Sequence, residues 1–93
     1  MKYQIVTSAK FKRGLKHAEK RGLDVAKLIN VVNMLADGKS LPPENKDHKL
    51  TGNFAGKREC HIEPDWLLIY EYIDSELVLH LVNTGTHSDL FNI

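Results

Sequence analysis

A chain of 93 residues, 42% apolar, with 13 Lys and Arg against 12 Asp and Glu for a formal charge of +1, is long enough for one hydrophobic core and too short for two. A domain of this size buries only about 60–65% of its unfolded surface. No apolar run reaches the roughly 20 residues that span a bilayer and no charged-then-apolar leader opens the chain, so the expectation is one cytoplasmic domain over residues 1–93 with no membrane partner.

Tyr3-Gln4-Ile5-Val6 is rich in strand formers, and Thr7-Ser8 then supplies a helix N-cap, which predicts a strand followed by a helix over Ser8 to Arg21. Within that helix Phe11, Leu15 and Ala18 are spaced i, i+4, i+7, while Lys10, Lys12, Arg13, Lys16 and Lys20 fill the exposed face. Gly22 ends the helix and Asp24 caps the next, whose apolar stripe of Val25, Leu28, Ile29, Val32 and Leu35 runs up to Asp37-Gly38. The pair reads as a helical hairpin on one core.

Residues 38–53, with Gly38, Ser40, Pro42-Pro43, Glu44 and Asn45, carry no sustained periodicity and read as a loop. Beyond them the period becomes two. Arg58 to Ile62, Trp66 to Tyr72 and Leu77 to Val82 predict three strands, joined by hairpin-length links into an antiparallel meander. Thr84-Gly85-Thr86 reads as a turn and Ser88 to Phe91 as a short terminal helical turn. The predicted order β-α-α-β-β-β defines a two-layer α+β fold, with the helical hairpin on one face of a small, largely antiparallel sheet and the other face open to a ligand. No GxxxxGK[ST] or GxGxxG loop and no serine elbow is present, which argues against nucleotide-triphosphate and hydrolase folds.

The near-zero net charge conceals a division. Residues 1–21 hold seven basic side chains against Glu19 alone, whereas residues 59–93 hold seven acids and no Lys or Arg. A basic N-terminal segment is a candidate surface for a polyanion or an acidic partner; the alternative is a solvated helix face. The lone Cys60 excludes an internal disulfide framework and multi-cysteine zinc motifs, leaving His and carboxylate as metal ligands to consider. Of five histidines, His17 falls on the charged helix face and His80 mid-strand, pointing away from the helices as a structural residue. His48, His61 and His87 lie in polar contexts near the ends of predicted elements.

Three separated motifs occur in order: Lys46-Asp47-His48-x-Leu50-x-Gly52, then Gly56-x-Arg58-Glu59-x-His61-Ile62-x-Pro64-Asp65-Trp66-Leu67-Leu68-Ile69-Tyr70, then Thr84-Gly85-Thr86-His87-x-x-Leu90-Phe91. With the helical N-terminal half, they resemble the YafQ branch of the RelE/ParE toxin superfamily. The resemblance implies a RelE-like fold and the toxin of a type II toxin–antitoxin pair. It implies a ribosome-dependent endoribonuclease that cuts translated mRNA in the 30S decoding site. Its cognate antitoxin, DinJ-like, would silence it in a hetero-oligomer, and no metal or other cofactor is implied. His48, His61, Asp65 and His87 match the catalytic positions, and Trp66 and Phe91 match positions linked to activity.

Metal-independent RNA cleavage uses the neighbouring 2′-hydroxyl as nucleophile, so one group must remove that proton and another must protonate the departing 5′-oxygen. Histidine, with an ordinary pKa of about 6.5, serves both transfers, each typically worth roughly 10²–10⁴ in rate. The expectation places Asp65 with His48 or His61 on the base side and His87 on the acid side. Trp66 and Phe91 are candidates to stack on an unpaired base, for roughly 1–3 kcal/mol; burial in the core is the alternative for Trp66. The branch commonly has Arg directly before Thr-Gly-Thr-His, where this chain has Asn83, a neutral donor in place of a bidentate cation. Arg58 is then a candidate for the phosphate, or else a structural partner of Glu59 or Asp65. Further RNA contacts are assigned to Lys46, Lys49 and Lys57 and to Lys10, Lys12, Arg13 and Lys16. Two rival readings stand beside this one. His48, His61, His87 and Asp65 are a permissible zinc ligand set, although without recognisable spacing. A catalytically weak or inactive toxin-fold binding module is the other, and it would have no need of the histidine–aspartate set.

Overall fold

β1 (Gln4–Thr7) runs into Ser8, whose hydroxyl accepts the Phe11 N–H at 2.9 Å and caps α1 (Ala9–Lys20). The computed structural model describes residues 1–91. α1 closes where Gly22 takes a left-handed φ of +79° and the Leu23 N–H donates back to the Ala18 carbonyl at 3.0 Å. Asp24 then caps α2 (Val25–Ala36) by accepting the Ala26 N–H at 3.0 Å. The buried stripe of α2 is Leu28, Val31, Val32, Leu35 and Ala36. Ile29, expected in it, is 51% exposed. It lies about 100° round the helix from Leu28, at the margin of the stripe.

The sheet has the order β1-β5-β4-β3-β2, with β2 (His48–Lys49), β3 (Arg58–Glu63), β4 (Trp66–Ile73) and β5 (Val78–Gly85) antiparallel in succession and β1 parallel to β5. The predicted meander is therefore present, and the first strand lies beside the last. Two details depart from the sequence reading. The 38–53 loop contains the two-residue β2 and begins a second 3₁₀ turn, Gly52–Phe54, after the first at Pro43–Asn45. Segments this short have no period to detect. Thr84 and Gly85, expected in a turn, belong to β5, because Ile69 pairs with Asn83 while Tyr70 pairs with Leu81. Val82 is the extra residue of a β-bulge, which shifts the register and lets the strand continue. α3 (His87–Phe91) follows directly.

Between sheet and helices, Cys60, Trp66, Leu68, Tyr70, Leu79 and Leu81 pack with Phe11, Ala18, Leu28, Val32 and Leu35. Burying each large apolar side chain contributes roughly 1.5–3 kcal/mol. Leu67 and Ile69 alternate to the opposite face, yet are 0% and 1% exposed. That face is thus covered at these positions, where the sequence reading expected it open to a ligand. Phe54 and Phe91 meet edge to face with centroids 5.5 Å apart, which ties the 52–54 turn to α3. Among the described residues no helix is long and apolar enough to cross a membrane.

Candidate active site

The short β2 brings His48 beside Glu59 in the ladder. Lys46, just before it, adopts a left-handed conformation (φ 48°), and its carbonyl lies 2.7 Å from His48 Nδ1. A carbonyl only accepts, so Nδ1 carries the proton and Nε2 is left for chemistry. Asp47 is clamped by the Arg58 guanidinium at 3.0 and 3.4 Å and by the Tyr70 hydroxyl. This network fixes the backbone from which His48 projects. Burial first, and then Asp47, pushes the Tyr70 hydroxyl above its ordinary pKa.

Glu59, only 5% exposed, directs Oε1 toward two imidazoles, 3.6 Å from His48 Nε2 and 3.7 Å from His61 Nε2. It is absent from the sequence-derived set. The available signal was its i, i+2 spacing from His61 in a strand of period two, which places both on one face.

The Pro64-Asp65 turn brings Asp65 to the start of α3. Asp65 Oδ1 accepts both the His87 backbone N–H at 2.9 Å and His87 Nδ1 at 2.6 Å. These bonds, the backbone one first, hold the Asp65 carboxyl below its ordinary pKa. The sequence reading paired Asp65 with His48 or His61; the structure pairs it with His87. An ionised carboxylate bonded in this way orients the ring and fixes its tautomer, with Nε2 the nitrogen outside that bond. The His61 and His87 rings lie 5.6 Å apart at 63°. All four predicted catalytic residues therefore meet in one cluster, with Glu59 as a fifth member.

Other assignments change. Trp66 is 2% exposed, and its indole N–H donates to Thr84 Oγ1 at 3.0 Å. It stacks on no base, because its place in β4 turns it toward the helices. Its hydrogen bond instead fixes Thr84, three residues before His87. Arg58 is held by Asp47, not by Glu59 or Asp65, and so is not a free phosphate donor. Phe91 is partly buried against Phe54. Lys57 approaches Glu71 at 3.9 Å, and Glu71 also meets His80 at 3.2 Å, which gives His80 the structural role expected of it. Asn83 Oδ1 accepts the Thr84 N–H at 2.9 Å. Lys46 and Lys49 are exposed, as is His17. Lys10 and Arg13 line a cleft against Asn83 and Thr84 that Lys12 and Lys16 do not reach. Among the described residues no three His, Cys, Asp or Glu side chains converge to hold a metal ion.

A helical hairpin on a five-stranded sheet, with the histidine and carboxylate cluster at its end, defines a bacterial toxin of the RelE-like class. Residues 3–92 match the family described as "Bacterial toxin of type II toxin-antitoxin system, YafQ". The mRNA interferase toxin YafQ of Escherichia coli K12 is 40% identical over 85 residues, 90% of each chain. The E. coli DinJ-YafQ toxin-antitoxin complex contains a chain that superposes with a TM-score of 0.87 at 38% identity, covering 98% of this chain and 99% of that one. A metal-bound toxin from Helicobacter pylori does so with a TM-score of 0.91 at 45% identity, covering 96% and 99%. The chain belongs to the YafQ toxin family.

Proposed function

We propose that the chain, acting as one domain, is the toxin of a type II toxin–antitoxin pair and an endoribonuclease of the mRNA interferase kind. It cuts translated mRNA in the ribosomal decoding site and so stops translation in the cytoplasm. The observation that carries this reading is the meeting of the Asp65–His87 pair with His48, Glu59 and His61, through rings 5.6 Å apart. A cognate antitoxin of the DinJ kind, as in the E. coli complex, silences it in a hetero-oligomer.

In the proposed reaction His48 Nε2 takes the proton of the 2′-hydroxyl. O2′ then bonds to phosphorus as the bond to the 5′-oxygen breaks. His87, entering protonated on both nitrogens, passes its Nε2 proton to that oxygen. The products are a 2′,3′-cyclic phosphate and a 5′-hydroxyl, with no further reactant required. Asp65 orients His87 and offsets its charge. Glu59 acts likewise as a positioning residue for His48 and His61, and a protonated His61 faces the charge that develops on the phosphorane. Asn83, Lys46, Lys49 and the exposed part of Phe91 are the RNA contacts of this reading.

The metal-bound Helicobacter relative raises the case of a metal in this cluster. Among the described residues the donors do not converge on one point. A primer-extension assay on translated mRNA tests the reading: His87→Ala and His61→Ala are expected to abolish cleavage and toxicity, and wild-type cleavage is expected to survive EDTA. Asn83, where the branch has Arg, favours a second reading, a catalytically weak or inactive toxin fold that acts by binding. Toxicity unchanged in both mutants would establish that second reading instead.

A further inference from the structure

β1 accompanies β5 only as far as the pairing of Thr7 with Leu81. Beyond that point the outer edge of β5 has α1 beside it instead of a strand. Gly14 permits the approach, since a Cβ there would lie 2.2 Å from the Thr84 carbonyl oxygen. Lys10, Arg13, His17 and Arg21 follow at three- and four-residue spacing, so they share one side of the helix and its cap. With Asn83, Thr84 and Asp89 they enclose a cleft of about 310 Å³.

The charge of this cleft is only partly compensated. Arg21 is bound to Asp89 at 3.1 Å. Among the described residues no acidic side chain lies within ion-pair distance of Lys10 or Arg13. Elsewhere Arg58 is engaged by Asp47 and Lys57 by Glu71, and no Lys or Arg follows residue 58. The free cations beside the strand that leads into His87 therefore come from α1. The cleft and the cluster share one wall: Asn83 and Thr84 precede His87, and Asp89, which accepts the Thr86 N–H at 3.0 Å, follows it in α3.

We propose that this cleft is a phosphate subsite for single-stranded RNA, holding a backbone phosphate that flanks the bond cut at His87, with Arg13 and Lys10 as its charged donors. The assignment rests on the nucleolytic reading and deepens it. It supplies, from another element, the positive charge that Asn83 does not provide. RNA is favoured over an acidic polypeptide because the cleft adjoins the reacting cluster along one strand. A polynucleotide presents anions continuously on either side of its scissile phosphate, whereas an inhibitory peptide has no need of that adjacency.

The test uses ribosomes programmed with an mRNA made uncleavable by a 2′-deoxy residue at the cut position. The phosphates flanking that position are replaced one at a time by neutral methylphosphonates. With wild-type protein, and with Lys12→Gln/Lys16→Gln, one replacement is expected to weaken binding about tenfold. With Lys10→Gln/Arg13→Gln, binding is weaker at the outset and the same replacement costs nothing more. Asn83→Arg in the Arg13→Gln background is expected to restore binding. Equal sensitivity of the wild type and Lys10→Gln/Arg13→Gln at every phosphate would overturn the proposal. So would a Lys10→Gln/Arg13→Gln defect confined to antitoxin binding. Because the RNA is uncleavable, failure of the nuclease reading registers separately, as cleavage of ordinary mRNA by His87→Ala.

Discussion

The two carboxylates of the cluster are built in opposite ways. Asp65 is exposed and bonded to a single histidine at 2.6 Å, by ring and backbone together. Glu59 is buried and stands 3.6 and 3.7 Å from two histidines, outside hydrogen-bond distance of either. A carboxylate bonded one to one fixes a tautomer and an orientation. A buried carboxylate shared between two rings acts mainly through its charge, which water screens little there. This difference fits the reaction proposed above, with His87 making a directional proton transfer and His48 and His61 on a side of the site where charge is traded between neighbours.

The largest effect that would break this division is expected from His87→Ala, a loss of roughly 10²–10⁴ in single-turnover cleavage rate. Asp65→Asn is expected to lose less, because the ring remains. Comparable losses in the two variants would mean that proton transfer by His87 depends wholly on the tautomer and orientation that Asp65 imposes. Next comes Glu59→Ala, for which a fall in kcat on the order of tenfold with little change in KM is expected if its charge serves the reacting state. A rise in KM alone would make Glu59 a substrate-binding residue.

A structural prediction is independent of the chemistry. Gly14→Ala sets a methyl group against the Thr84 carbonyl and is expected to destabilise the fold by about 1–3 kcal/mol in chemical denaturation. Unchanged stability would mean that α1 shifts freely on β5. The smallest effect concerns pH. The folded-state pKa of Asp65 is depressed, so the stability it confers is present above the ordinary carboxylate range, about 3.9, and is lost as pH falls through the lower folded value. Asp65→Asn is therefore expected to flatten the acid limb of a stability profile below about pH 4 and to lower the neutral plateau by the small amount that the wild type loses in acid. An acid limb as steep in Asp65→Asn as in the wild type would mean that the Asp65 charge contributes nothing to stability.

Much of this was legible in residue spacing. The caps at Ser8 and Asp24, the glycine stop at Gly22 and the period-two strands are local signals, and each forms as read. The motifs around His48, His61, Asp65 and His87 marked residues that the fold brings into one cluster. Partnership was not legible. Trp66 reads equally well as a core residue or a stacking surface until the bulge in β5 brings Thr84 to its indole N–H. Arg58 likewise could be aimed at several acids until β2 delivers Asp47.

The sequence by itself determined the element order, the uneven division of charge and which side chains can carry protons, because these depend on residue type and on neighbours within a few positions. Only the tertiary structure decided that Asp65 serves His87, that Glu59 lies between two histidines, and that Lys10 and Arg13 face the strand leading to the cluster. Each of those relations joins segments distant along the chain, through a two-residue strand, a one-residue bulge or the absence of a single Cβ. Such features leave no periodic trace, yet shift a side chain by a full strand position or a helix by the width of a methyl group.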